Sequence, residues 1–139
     1  PRDPNEPILN RPMKIWMIAI FLISGLTAFF SFIFIYKLTA NLEKARTMTF
    51  ALMCLDSLIF AFSVRSLKQS LFRKDIFSNR YLVLGVSISA LLLFASIYFA
   101  PFNKLLSTTP LSLVEWIFIA SVSLAEIVLL EFFKKKSFR

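Results

Sequence analysis

The chain has 139 residues, a formal net charge of +8 and a mean hydropathy of +0.73, and 58% of its residues are hydrophobic. A soluble domain of this length does not need so much apolar sequence, so the composition argues against the soluble classes. Histidine is absent from the sequence and Cys54 is its single cysteine, which excludes imidazole chemistry, an internal disulfide and a thiolate metal cluster within this chain.

The chain opens with a polar, proline-rich arm, "PRDPNEPILNRPMK", which does not resemble a signal peptide. Because the first residue is not Met, we expect the chain to be part of a longer polypeptide. Four apolar blocks follow, each about 18–22 residues long and sufficient to cross a hydrocarbon core of about 30 Å. The blocks are Ile15–Tyr36, Thr47–Val64, Tyr81–Ala100 and Leu111–Leu130.

These blocks predict an all-α, polytopic membrane protein with four antiparallel transmembrane helices in a bundle. We divide the chain into an arm (1–14), a transmembrane domain (15–131) and a basic tail (132–139). Ser24, Thr27 and Ser31 fall on one face of the first block, and small residues of this kind favour close packing of membrane helices.

The placement of lysine and arginine predicts the orientation of the bundle. Twelve of the 16 basic residues lie in the arm, in the connection between the second and third blocks, and in the tail. The other four lie on the opposite side: Lys37, Lys44, Arg46 and Lys104. Because basic residues are enriched in cytoplasmic segments, we expect both termini in the cytoplasm. Charges that flank membrane spans in this way do not indicate a partner nucleic acid.

Asp56 interrupts the second block, in the stretch "MTFALMCLDSLIFAFSVRS". It lies 10 residues after Arg46 and 9 before Arg65, about 15 Å and 13.5 Å of helix, which places it near the bilayer midplane. Burying a carboxylate there costs at least about 2.5–3.5 kcal/mol, which protonation, a partner helix or a bound cation can offset. Hydroxyl oxygens of Thr49 and Ser57 lie on or beside the same helix face. Two interpretations stay open: a ligand in an ion or proton path, and a buried hydrogen bond to another helix.

A second carboxylate, Glu126, lies in the fourth block, one turn after Ser123. It either accepts hydrogen bonds from a neighbouring helix or from lysines of the tail, or it takes part in transport, and both interpretations stay open. Calcium takes about six to eight oxygen ligands, so two carboxylates are not a complete cage. We therefore expect a high-affinity cation site to need ligands from helices outside this chain.

Three stretches after the arm carry a family resemblance: "RTMTFALMCLDSLIFAFSVRSLKQSLFR", "NRYLVLGVSISALLLFASIYFAPF" and "TPLSLVEWIFIASVSLAEIVLLEFFKK". Together with "PRDPNEPILN", they resemble segments seven to ten, the carboxy-terminal transmembrane region, of calcium-pump-like type II P-type cation-transporting ATPases. The features that carry the resemblance are the "QSLFR" ending, the Pro101–Phe102 exit, and Trp116 followed by Ser123 and Leu124.

The resemblance implies a role for the second block. Calcium pumps of this family carry a carboxylate ligand in segment eight, and a gapless match places that position at Ser57, one residue from Asp56. Related proton and sodium pumps place an aspartate nearby in the same segment. We therefore assign the ion path to Asp56, with Ser57 as a second ligand and with Glu126 and Thr49 as secondary candidates.

The resemblance also implies what the chain works with. It implies Ca²⁺ or another cation as the transported ion and no cofactor bound by this chain itself. ATP and Mg²⁺ would be bound by other domains of the parent pump, because this sequence lacks the family's D-K-T-G-[T/S] phosphorylation motif. The implied partners are the lipid bilayer and the parent's remaining helices and cytoplasmic domains, and the chain is not expected to be active alone.

Two other functions fit the residues. A stand-alone four-helix membrane scaffold or adaptor would need no transport chemistry. A small proton-coupled exporter, working as an oligomer, would use Asp56 and Glu126. Upstream sequence that contains the phosphorylation motif would distinguish the pump from both.

Overall fold

A computed structural model describes residues 11–65 and 79–137 of the chain. The described residues form five α-helices: α1 (Arg11–Thr39), α2 (Leu42–Arg65), α3 (Arg80–Tyr98), α4 (Ala100–Leu106) and α5 (Leu113–Ser137). Helices α1, α2, α3 and α5 are long and apolar enough to cross a membrane. This confirms the predicted all-α, polytopic fold. Residues 1–10 of the arm and the "QSLFR" stretch at 69–73 lie outside the described residues.

The first two spanning helices extend beyond their apolar blocks, and only Ala40 and Asn41 separate them. Ala40 adopts a left-handed backbone (φ 50°) and its N–H donates to the carbonyl of Tyr36 at 2.9 Å, which ends α1. Asn41 Oδ1 accepts a hydrogen bond from the N–H of Lys44 at 3.0 Å, which starts α2. The connection between the two helices is therefore shorter than the ten residues, 37–46, that separate the two apolar blocks. A helix can extend past the apolar stretch that crosses the hydrocarbon core.

The helix of the third apolar block breaks at Phe99, and α4 begins at the last residue of that block and continues toward the fourth. Pro101 has no N–H to donate to the carbonyl of Ile97, so α3 cannot continue through it. The side chain of Asn103 supplies the missing donor, with Nδ2 2.6 Å from Ile97 O. Thr108 Oγ1 donates to the carbonyl of Ser96 at 2.6 Å. The last carbonyls of α3 are thus satisfied by side chains, and the chain turns aside at this end of the bundle.

The connection from α4 to α5 is fastened to the rest of the bundle by polar contacts. The N–H of Thr109 donates to Thr47 Oγ1 on α2 at 3.0 Å. Ser112 and Glu115 form a capping box at the start of α5, in which Glu115 Oε2 accepts from the N–H of Ser112 at 2.7 Å and Ser112 Oγ accepts from the N–H of Glu115 at 3.4 Å. Glu115 also pairs with Lys44 at the start of α2, with Nζ and Oε1 2.6 Å apart.

Helices α1, α2 and α5 pack against one another, and α3 packs on the outer side of α2. The best-buried apolar side chains of this core are Ala45, Ala51, Leu52, Ile97 and Ile119. Large apolar side chains elsewhere are exposed, among them Phe21 at 76% and Leu91 at 69%. An apolar surface of this extent, on helices long enough to span a bilayer, is that of an integral membrane protein.

Candidate ion site

Asp56 points into the bundle. Its side chain is 5% exposed, and its Oδ1 accepts a hydrogen bond from the hydroxyl of Ser123 on α5, which is 1% exposed. Lys44 and Glu115 pair near the starts of α2 and α5, so the two helices run in the same direction. Asp56 and Ser123 meet about two to three turns further along both helices.

Glu126 lies beside Asp56. It follows Ser123 by one turn of α5 and is 4% exposed. Its carboxyl group is close enough to that of Asp56 for a direct side-chain and electrostatic interaction. Ser24 on α1 donates its hydroxyl hydrogen to Glu126 Oε1. Glu126 Oε2 is buried and accepts no hydrogen bond from the described residues. Three helices therefore contribute to one polar cluster, made up of Ser24, Asp56, Ser123 and Glu126, which we call the carboxylate cluster.

The carboxylate cluster has no basic side chain at its depth among the described residues. Lys44 pairs with Glu115 at the end of the bundle, and Arg46 precedes Asp56 by 10 residues, about 15 Å of helix. Two adjacent carboxylates in a medium of low dielectric repel each other and lose hydration. The cluster therefore needs a compensating positive charge, which a proton or a bound cation can supply.

The donor set is suited to a hard cation. Carboxylate and hydroxyl oxygens are ligands for Ca²⁺, and soft metals prefer sulfur or nitrogen. The residues described here contain no group of three or more histidine, cysteine, aspartate or glutamate side chains that could hold a metal ion. A cation in the carboxylate cluster would thus be bound by two carboxylates together with the serine hydroxyls.

The four predicted site residues are placed differently. Asp56 and Glu126 lie together in the carboxylate cluster. Thr49 lies seven residues before Asp56 on the same helix face, and its Oγ1 is buried without a hydrogen-bond partner among the described residues. Ser57 is exposed, donates to the carbonyl of Met53 at 2.8 Å, and lines an apolar groove between α2 and α3. Ser57 is therefore not brought to the carboxylates.

The sequence pattern indicated helix packing for Ser24 and did not predict its contact with Glu126. The two residues are 102 positions apart, so the contact depends on how α1 lies against α5. The available signal was the recurrence of small hydroxyl residues on one face of the first block, which marks a face turned toward another helix. That pattern does not identify which hydroxyl meets a carboxylate.

Four helices long enough to span a membrane, three of which pack around a buried pair of carboxylates, define a polytopic membrane protein with ionisable groups in its interior. The chain belongs to the cation transporting ATPase C-terminus family, which matches residues 1–135. It is thus a carboxy-terminal region of a P-type cation ATPase.

Several curated proteins are similar to this chain. "Probable cation-transporting ATPase F" of Mycobacterium tuberculosis (strain ATCC 25618 / H37Rv) is 33% identical over 129 residues, which cover 90% of this chain and 14% of that protein. "Calcium-transporting ATPase" of Bacillus subtilis (strain 168) is 30% identical over 124 residues, 88% of this chain and 14% of that protein. Human "Calcium-transporting ATPase type 2C member 1" is 32% identical over 142 residues, 97% of this chain and 15% of that protein. The chain thus spans about one seventh of the length of these relatives.

Proposed function

We propose that this chain is the membrane-embedded carboxy-terminal part of an ATP-driven P-type pump for Ca²⁺. In this proposal its helices support the ion-binding helices of the parent, and Asp56 contributes a carboxylate to the ion path. The observation that carries the proposal is the burial of Asp56 against Glu126 inside the helix bundle, without a basic partner at its depth among the described residues. A buried intramembrane carboxylate is costly and is commonly part of an ion or proton pathway.

The relatives support the choice of ion. Two of the three similar proteins described above are named calcium-transporting, and Ca²⁺ prefers the oxygen ligands that the carboxylate cluster offers. The 139-residue sequence holds no D-K-T-G-[T/S] motif, so in this proposal ATP and Mg²⁺ are bound by other domains of the parent pump. The chain itself supplies scaffold and ion ligands and does not hydrolyse ATP.

The proposal includes an orientation. Residues that flank the start of α1 and the end of α5 are rich in lysine and arginine, and such residues favour the cytoplasmic side. Both termini would then face the cytoplasm, and the capped connection between α4 and α5 would face the opposite compartment. Protease access to a tag after Arg139 in sealed, oriented vesicles would test this orientation.

The experiment that tests the function is the substitution Asp56→Asn in the intact pump. We expect normal expression and cation-stimulated ATPase activity that needs at least about tenfold more Ca²⁺ for half-maximal stimulation, since loss of one charged ligand costs about 1.4 kcal/mol or more. Ser57→Ala is the matched variant, because a gapless family match favours its position. If Asp56→Asn leaves the Ca²⁺ concentration for half-maximal stimulation unchanged and Ser57→Ala raises it, then Ser57 is the ligand and Asp56 is not.

The size of the native polypeptide tests the pump against a stand-alone scaffold. An antibody against the "KKKSFR" tail would detect the polypeptide in source membranes. A band far above 16.0 kDa agrees with a multidomain parent. A band near that mass would contradict the pump, because the phosphorylation and ATP-binding parts would then be missing from the polypeptide.

A further inference from the structure

We infer that a phospholipid with an anionic headgroup binds in the groove between α2 and α3, with an acyl chain along the groove and its phosphate at Arg46. The groove is separate from the carboxylate cluster, because Asp56 turns toward α5 whereas its neighbour Ser57 lines the groove. The lipid site goes beyond the proposed transport of a cation and does not depend on it.

The groove is large and three helices form its wall. It has a volume of about 1020 Å³. A volume of this size is at the upper end of the range for sites that hold a small molecule, about 300–1,000 Å³. Its wall includes Phe50, Met53 and Ala61 of α2, Gly85 and Ser89 of α3, and Phe102 of α4. Within a bilayer, lipid chains surround such a groove and are available to fill it.

Small residues on both sides of the groove make room for an occupant. Ser57 and Ala61 are four positions apart on α2, and Gly85 and Ser89 are four positions apart on α3, so each pair lies on one face of its helix. Small residues at this spacing usually let two membrane helices pack closely. Here the groove lies between them, and a Cβ added at Gly85 would meet no atom within 4 Å. The two helices thus leave a slot that neither of them fills.

The wall of the groove suits an apolar occupant. Ser57 donates its hydroxyl hydrogen to the carbonyl of Met53 at 2.8 Å, and Ser96 donates to the carbonyl of Leu93 at 2.7 Å, each within its own helix. The most exposed side chains between these serines are apolar, with Met53 at 55% and Leu92 at 58%. An acyl chain can pack on this surface without breaking a hydrogen bond.

The length of the groove favours a lipid over a spanning helix. From Arg46 to Ala61 the α2 side measures 15 residues, about 22 Å of helix, and the α3 side from Tyr81 to Ser96 has the same length. This distance is more than half, and less than the whole, of a hydrocarbon core of about 30 Å. A lipid chain needs little more than one leaflet, whereas a spanning helix needs a partner surface across the entire core.

Helix α4 marks the level of the headgroup. Phe102, Leu105 and Leu106 of α4 line the groove, and Lys104 lies on the opposite face of this short helix. An apolar face with a lysine on the other side is typical of a helix at the membrane interface. Thr109, which follows α4, bonds to Thr47 on α2, so this interface lies level with Arg46.

Arg46 provides charge complementarity to a phosphate. It precedes Phe50 by four positions, so it continues the groove face of α2 beyond the apolar wall. Arg46 is exposed and makes no ion pair with any residue in the described part of the chain, whereas the nearby Lys44 is paired with Glu115. A guanidinium group can bind a phosphate through two parallel hydrogen bonds. The groove and Arg46 together therefore match the two parts of a phospholipid.

The test uses the intact pump, purified in a mild detergent. Dioleoylphosphatidylglycerol, which is anionic, or dioleoylphosphatidylcholine, which is zwitterionic, is added. Native mass spectrometry measures bound lipid, and thermal unfolding measures the stabilisation that a ligand of the folded state provides. We expect tighter binding and a larger rise in unfolding temperature with the phosphatidylglycerol. Arg46→Gln should weaken phosphatidylglycerol binding at this site by about fivefold, the loss expected for one basic residue at an anionic headgroup.

Gly85→Leu tests the groove itself. The space beside Gly85 accommodates a larger side chain, which would then occupy the position of the acyl chain. We expect this variant to bind one phosphatidylglycerol fewer than the wild type and to lose the corresponding stabilisation. A photoactivatable phosphatidylglycerol with a diazirine in its acyl chain should cross-link to residues 50–61 or 81–96 of the wild type and not of Gly85→Leu.

The chain offers a matched control for each variant. Gly25 on α1 is exposed, and a Cβ added there also meets no atom within 4 Å, so Gly25→Leu makes the same change outside the groove. Lys37 is an exposed cation in the last turn of α1, so Lys37→Gln removes a charge at the same end of the bundle. Neither control should change phosphatidylglycerol binding. If Gly85→Leu does not fold, Arg46→Gln against Lys37→Gln carries the test, because both side chains are exposed.

Two results would overturn the inference. Equal phosphatidylglycerol binding in the wild type, Gly85→Leu and Arg46→Gln would mean that lipid only surrounds the bundle. Loss of stability in Gly85→Leu, in a pump whose wild type retains no phosphatidylglycerol, would mean that a helix of the parent fills the groove. Asp56→Asn should leave lipid binding unchanged, since Asp56 faces α5. The lipid site and the proposed ion path therefore fail or hold independently.

Discussion

Ser123 of α5 donates a hydrogen bond to Oδ1 of Asp56 on α2, and the two side chains are 1% and 5% exposed. The hydroxyl holds one carboxylate oxygen in place and offsets part of the cost of burying it. Since Glu126 lies one turn further on the same helix, α5 presents both a donor and a second carboxylate to α2. The position of α5 therefore determines the surroundings of the buried aspartate.

Ser123→Ala should destabilise the bundle by about 0.6 kcal/mol and by no more than about 1.7 kcal/mol, the average and the maximum measured for hydrogen bonds between membrane helices. The reason is that Asp56 Oδ1 loses its donor while it stays buried. Thermal unfolding of the pump in detergent measures the change. Ser121→Ala, which removes an exposed hydroxyl from the same helix, should have no effect. Equal stability of the two variants would show that the Ser123 hydrogen bond contributes little.

Tyr98→Phe should destabilise the end of the bundle that holds α4. Tyr98 donates its hydroxyl hydrogen to the carbonyl of Leu111 at 2.7 Å and accepts from Trp116 Nε1 at 2.7 Å. Phenylalanine keeps the ring that stacks on Phe94 but leaves both partners without this hydroxyl, at a cost of about 1–3 kcal/mol. We expect a lower unfolding temperature and a shift in tryptophan emission.

Tyr81→Phe is the control for the shift in tryptophan emission expected in Tyr98→Phe. Tyr81 lies near the start of α3 and is 87% exposed. This variant should change neither the unfolding temperature nor the tryptophan emission. An unchanged emission spectrum in Tyr98→Phe would mean that Trp116 does not depend on the tyrosine hydroxyl.

The four spanning helices were predictable because each must be apolar over the thickness of a bilayer, so an apolar run of that length in the sequence indicates a span. The burial of Asp56 was predictable for the same reason, since its distance along α2 from Arg46 and Arg65 fixes its depth. The break at Phe99 was missed, although Pro101 follows it closely and cannot donate to Ile97. A proline near the end of an apolar block is thus informative about where a spanning helix ends.

The neighbours of Asp56 could not be read from the sequence. Helical periodicity places Ser123 and Glu126 on one face of α5, but only packing decides that this face meets Asp56 and that Ser24 meets Glu126. Lipid tails are as apolar as the helix surfaces, so hydropathy does not indicate which face of a spanning helix turns toward its neighbours, and close packing and hydrogen bonds between helices set the rotation about each axis. The capping box of Ser112 and Glu115 was readable in principle, because its S-x-x-E spacing is local.

Thr47→Val should lower the stability and Thr49→Val should not, although the two residues lie two positions apart on α2. Thr47 Oγ1 accepts from the N–H of Thr109, and valine would leave that N–H without its partner, at a cost of about 1–3 kcal/mol. Thr49 Oγ1 is buried and has no hydrogen-bond partner among the described residues, so valine should leave stability unchanged or raise it.

Thermal unfolding of the two threonine variants in parallel provides the comparison, and Ca²⁺-stimulated ATPase activity provides a second readout. Thr49→Val with lower stability than the wild type would mean that the hydroxyl has a partner in the intact pump. Thr49→Val with normal stability but weaker Ca²⁺ stimulation would support Thr49 as a secondary ion ligand.

Substitutions at Lys44 and Glu115 should separate an ion pair from a helix cap. Glu115 both pairs with Lys44 at 2.6 Å and accepts from the N–H of Ser112 at 2.7 Å. Lys44→Met removes the pair alone, and Glu115→Gln also removes it but keeps an oxygen for the cap. Because the Lys44 side chain is 33% exposed, each should cost no more than about 1 kcal/mol, and the difference from wild type should shrink at 1 M NaCl.

Glu115→Ala removes the cap as well, so it should cost about 0.5–2 kcal/mol more than Glu115→Gln. This additional loss should persist at 1 M NaCl, since it comes from an unsatisfied N–H at the start of α5 and not from a screened ion pair. Thermal unfolding at 0.1 M and 1 M NaCl measures both parts. Equal stability of Glu115→Ala and Glu115→Gln at high salt would mean that water replaces the carboxylate as the cap of α5.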